Sequence, residues 1–155
     1  MEFCEVILST NVDPGLDLAA CVAVPAAATT ADIIFSKAGT RDNPEITATS
    51  GNGTQFAPIN NGDLPPYDDD YEVDMWPEDL NADRSPATAY VSDFKFKSTG
   101  ATLTNMIENS NQIYVALAPG YSTETGVGFY AFAITDAVEG NNGDYSITVK
   151  LYKVQ

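Results

Sequence analysis

Hydrophobic and polar positions alternate most cleanly near the C-terminal end. Tyr145, Ile147, Val149 and Leu151 alternate with Ser146, Thr148, Lys150 and Tyr152. That period of two predicts a strand with one buried face. Residues 90–97 follow the same rule, with Phe94 and Phe96 on one side and Lys95 and Lys97 on the other. Residues 2–8 read as a first strand, Ile33-Ile34-Phe35 as a short buried one, and 45–49 as another. Residues 113–118 form an apolar strand ended by Pro119-Gly120, and 127–135 a longer one carrying Phe129, Tyr130 and Phe132.

Two segments leave the period open. Leu16, Leu18 and the neighbouring alanines suit a helical turn, whereas Val22 and Val24 suit a strand. Residues 101–109 divide in the same way, with Leu103, Met106 and Ile107 clustered. Asp13-Pro14-Gly15, Asn52-Gly53, Asn61-Gly62 and Gly140-Asn141-Asn142-Gly143 are turn signals. Residues 23–31 form a small, uncharged connector that reads as an arm or linker.

The pattern amounts to roughly seven to nine short strands separated by turns, with no heptads and no fixed-period repeat. It predicts an all-β protein, an antiparallel β-sandwich of jelly-roll or Ig-like type. Residues 1–155 form one domain, with 50–87 as a long acidic loop leaving the core. A chain of 155 residues suits one domain, which buries about 68–70 % of its unfolded surface.

Charge narrows the function classes. Seven basic residues stand against 22 acidic ones, a formal net charge of −15. Such a surface offers no footprint for nucleic acid or an anionic membrane. The chain contains no histidine, which removes the commonest general base and metal ligand. It has no G-x-S-x-G, Walker loop or G-x-G-x-x-G. Gly126-Val127-Gly128 precedes a strand and reads as a bend. Paired carboxylates for glycoside hydrolysis would need to face each other across a cleft, but the acidic residues concentrate in one loop. The reading is a protein that is not an enzyme.

The acidic loop holds the candidate chemistry. Residues 63–83 carry nine carboxylates and no Lys or Arg. Within them Asp79, Asn81 and Asp83 stand at alternate positions, a spacing that aims three oxygens at one cation. The D-x-N-x-D run resembles the first half of an EF-hand-type calcium loop, as in dockerin repeats. That resemblance implies calcium as a ligand. Arg84 stands where the family has Gly, and Tyr90 where it has the bidentate Glu. Asp68, Asp69, Asp70, Glu72 and Asp74 offer further oxygens, and the alternative is a solvated acidic surface. Tyr67, Tyr71 and Trp76 interleave the carboxylates and suit a protein interface, a sugar platform or simple packing.

Cys4 and Cys21 are the two cysteines. They either form one disulfide closing a loop of about 15 residues, worth about 3 kcal/mol, or remain buried thiols. Asn52-Gly53-Thr54 matches an N-glycosylation sequon, which a chance occurrence also explains. The N-terminus lacks the basic region of a signal peptide, and no run approaches the length of a membrane helix. Gly143-Asp144-Tyr145-Ser146-Ile147-Thr148-Val149 resembles the closing strand of many bacterial extracellular β-sandwich domains, a generic strand signature.

The expectation is therefore a non-catalytic structural or assembly subunit. Its concrete forms are a virion protein (a phage capsid decoration or cement protein) and an extracellular filament or surface subunit. The expected partners are other copies of itself or another structural protein. The first and last strands lie near the two ends of the chain, so both are expected on sheet edges. The alternative is a calcium-dependent or carbohydrate-binding β-sandwich module.

Overall fold

The computed structural model describes residues 2–40, 42–58, 93–97, 114–122, 125 and 127–153. Their strands are β1 (Glu2–Ser9), β2 (Gly15–Asp17), β3 (Val22–Val24), β4 (Ile33–Gly39), β5 (Pro44–Ser50), β6 (Gln55–Pro58), β7 (Asp93–Lys97), β8 (Tyr114–Leu117), β9 (Phe129–Glu139) and β10 (Tyr145–Lys153). They form two sheets of five, with orders β1-β10-β9-β8-β6 and β3-β2-β4-β5-β7, and every pairing is antiparallel.

The alternation in β10 becomes burial: Tyr145, Ile147, Val149 and Leu151 are buried, and Ser146, Thr148 and Lys150 are only half-buried. In β1, Val6 and Leu8 face the same way, as do Ile33 and Phe35 in β4 and Ile46 and Ala48 in β5. These residues join Leu16, Leu18, Tyr130, Phe132 and Ile134 in one buried cluster drawn from both sheets. Fully burying a side chain the size of Leu, Ile or Phe is worth about 1.5–3 kcal/mol, so residues of both sheets gain stability from this shared cluster. β7 pairs with β5 so that Phe94 falls opposite Ala48 and Phe96 opposite Ile46.

β9 runs past the expected end at Thr135. Its register shifts there: Ile134 pairs with Val149, and Asp136 with Thr148, leaving Thr135 as the extra residue of a bulge. Without the shift, Ala137 would face away from Ile134; with it, both are buried in the core cluster. A strand reading based on strict alternation stops where the bulge begins.

The turn into β10 needs a left-handed backbone at Asn142 (φ 58°) and Gly143 (φ 71°). The positive φ is what favours Gly143, since the nearest atom to a Cβ there, Lys37 Nζ at 2.7 Å, is the end of a flexible side chain that can move aside. That ammonium donates to Gly143 O at 3.0 Å and sits 5.1 Å from the centre of the Tyr145 ring.

Several expectations change. Residues 16–24 form the β2–β3 hairpin and not a helical turn. Residues 23–31 are not a free arm: Val24 lies in β3, Ala28 and Ala31 donate to Pro25 O and Ala28 O, and Ala31 is buried. The excursion does not begin at residue 50, since β6 pairs with β8. The last strand is interior to its sheet, because β10 lies between β1 and β9; among the described residues β1 occupies an edge. Residues 63–83 and 101–109 lie outside the described residues.

Candidate functional site

Of the residues singled out from sequence, the structure brings together Cys4 and Cys21. They form a disulfide across a separation of 17 residues, with Cα atoms 6.7 Å apart. Cys4 lies on the inward face of β1, and Cys21 closes the β2–β3 turn with a left-handed backbone (φ 54°). The turn is fixed from within: Cys21 donates its N–H to Asp17 O at 2.8 Å, and Ala20 to Asp17 Oδ1 at 2.9 Å. The bond therefore ties an edge strand of one sheet to a hairpin of the other. A solvent-open cleft of about 320 Å³ lies beside it, lined by Cys4, Leu18, Ala19, Ala20, Cys21, Leu151 and Lys153.

Asp79, Asn81, Asp83, Tyr67, Tyr71 and Trp76 lie outside the described residues, as do Asp68, Asp69, Asp70, Glu72 and Asp74. Among the described residues, no three His, Cys, Asp or Glu side chains gather closely enough to hold a metal ion. No helix there is long and apolar enough to cross a membrane.

Two carboxylates have clear structural work. Asp32 accepts from Leu18 N at 2.9 Å and from Asn52 Nδ2 at 3.2 Å. Burial, and then the charges of Asp32 and Asp17, push the Tyr130 hydroxyl above its ordinary pKa. Asp144 accepts from Ser9 Oγ at 2.9 Å, Asn11 N at 3.0 Å and Thr10 Oγ1 at 3.2 Å. These donors favour its charged form and hold its pKa below the ordinary carboxylate value. The sequon Asn52 is likewise engaged, its Nδ2 also donating to Thr29 O at 2.7 Å. Thr54 of that sequon is buried, and its hydroxyl finds no partner among the described residues.

Sequence reasoning missed a surface. On the face of the first sheet turned away from the core, β9 carries Phe129, Ala131 and Ala133, all buried, with Tyr121 meeting Phe129 edge-on at 5.5 Å. The other end of the same face is exposed among the described residues. There Ile7 is 63 % and Val138 53 % exposed, flanking Ser146 and Thr148, with Val12 at 69 % beyond the end of β1. The signal in sequence was the unbroken run Val6-Ile7-Leu8, one apolar residue more than a half-buried strand needs.

The backbone along this edge is also open. Thr10 donates its N–H to Tyr145 O at 3.1 Å, while Ser9 donates away from β10, to Asp13 O at 3.4 Å. Alternation turns the N–H and C=O groups of Glu5 and Ile7 to that outer side, where no strand pairs among the described residues.

No family model, no curated protein and no solved structure matches this chain.

Proposed function

We propose that this chain is a non-catalytic assembly subunit with an antiparallel β-sandwich fold. The sandwich reading rests on the single buried cluster shared by the two sheets, and pairing of sheets through their inner faces is the usual way to bury such a core. The observation that carries the functional reading is the edge of β1, unpaired among the described residues, with Ile7 exposed beside it. Edge strands with unpaired backbone groups accept a further strand by hydrogen bonding. Ile7 offers such a strand an apolar contact on that edge, beside the exposed charge of Glu5.

The inter-sheet disulfide narrows the setting. Disulfides persist in oxidising surroundings, including the extracellular space and virion surfaces. The bond thus supports a virion surface protein or an extracellular filament or surface subunit. The partner class is another copy of this chain or a second structural protein.

Light scattering coupled to size-exclusion chromatography, run once with calcium and once with chelator, tests the reading. A multimer of the same size in both buffers is expected. A monomer at all concentrations would overturn it, and a chain that changes state only with calcium would overturn it in favour of a calcium-dependent binding module acting through Asp79, Asn81 and Asp83.

A further inference from the structure

The cleft beside Cys4 and Cys21 has three properties that belong together chemically. The disulfide lines it, and both cysteines are only half-buried. Its volume of about 320 Å³ matches the low end of small-molecule pockets, about 300–1,000 Å³. Its lining also includes a cation. Lys153 continues the inward row of β10 after Leu151, so it stands at the end of the core row and not on the outer face. Leu151 pairs with Cys4 and Lys153 with Glu2, so the ammonium is carried two residues along the strand from the partner of Cys4.

We propose that this cleft is a site of thiol–disulfide exchange, open to a small thiol in the folded protein. Exchange requires a thiolate to approach a disulfide sulfur and a second thiolate to leave. A neighbouring ammonium favours both anions. The attacking thiolate bonds to Cys21 Sγ, the Cys4–Cys21 bond breaks, and Cys4 departs as the thiolate into the cleft that Lys153 also lines. The products are a mixed disulfide on Cys21 and a free thiol at Cys4. A second equivalent of the same thiol displaces Cys21, leaving both cysteines reduced and the small thiol oxidised to its dimer. The assignment follows from position: Cys21 lies in a turn, whereas Cys4 lies in a paired strand next to the one that carries Lys153. This site does not depend on the assembly reading.

The test uses the full oxidised chain and 2-mercaptoethanol under native conditions, with iodoacetamide quenching and peptide mass spectrometry. The expected first product carries mercaptoethanol on Cys21 and the alkyl group on Cys4, and forms at a rate unaffected by sub-denaturing urea. Lys153→Gln slows the reaction by about 3-fold, a local charge effect of the size expected near solvent; Lys150→Gln, on the opposite face of β10, leaves it unchanged. Lys153→Arg, which keeps the cation, should keep the rate, and it keeps the test intact where salt cannot, since salt also screens the repulsion of an anionic thiolate by a chain of net charge −15. A rate that climbs with urea alongside global unfolding would overturn the proposal. An adduct on Cys4 would overturn the assignment of the leaving group, and equal rates for Lys153→Gln and Lys153→Arg would remove the ammonium from the mechanism.

Discussion

Ser9 Oγ donates a hydrogen bond to Asp144 Oδ1 at 2.9 Å, joining the end of β1 to the residue that enters β10. The same oxygen accepts from Asn11 N and Thr10 Oγ1, and Thr10 Oγ1 in turn accepts from Tyr145 N at 2.9 Å. Because these donors depress the Asp144 pKa in the folded state, its contribution is present above the unfolded carboxylate value. It is lost as pH falls through the lower folded value. Thermal melts between neutral pH and the acid range should show the melting temperature of Asp144→Asn falling less steeply than wild type below about pH 4. Parallel curves would show that the charge of Asp144 contributes nothing to the closure.

Thr54 presents the opposite case, a buried hydroxyl with no partner among the described residues. Leaving such a group unsatisfied costs about 1–3 kcal/mol. Thr54→Val keeps the shape and removes the polar atom, so urea denaturation should show a gain of about 1 kcal/mol. Thr54→Ser, which keeps the hydroxyl and opens a methyl-sized void, should lose stability. A loss in the valine variant would mean that the hydroxyl has a partner, such as a bound water.

The disulfide should matter chiefly through the unfolded chain. With the cysteines 17 positions apart, the chain-entropy model gives about 3 kcal/mol. The double variant Cys4→Ala, Cys21→Ala should lose about that much in urea denaturation while keeping its strand circular dichroism. The core cluster spans both sheets without the sulfur atoms at its centre. Collapse of the β signal would instead show that the sheets depend on the bond to meet.

How much of this was legible in sequence depends on the range of the interaction. β10 and β1 were readable because burial on one face writes a period of two into the chain. The end of β9 was not, because the bulge at Thr135 breaks that period while keeping Ile134 and Ala137 on one side. β2 and β3, at three residues each, are too short for any period to show. Two cysteines allow one pairing, but bonding requires their Cα atoms to be within reach, a fact set by the meeting of β1 with a distant turn. Sheet order is likewise nonlocal: nothing in residues 145–153 announces that their strand sits between β1 and β9. The acidic candidates Asp79, Asn81 and Asp83 were the easiest to pick out by spacing, and they lie outside the described residues.

The edge of β1 allows assembly to be separated from stability. Ile7 is 63 % exposed and Leu8 1 % exposed, neighbours on opposite faces of one strand. A charge on an exposed edge discourages strand addition, whereas exposed substitutions usually change stability by no more than about 0.5 kcal/mol. Ile7→Lys should therefore reduce the assembled mass in light scattering and leave the urea midpoint nearly unchanged. Leu8→Ala should do the reverse at first hand, costing about 2–5 kcal/mol through the cavity it opens, with assembly weakened only as the fold is lost. If Ile7→Lys leaves the assembled mass untouched, subunits meet through some other surface. If it unfolds the chain, Ile7 is supporting the fold and its exposure has another cause.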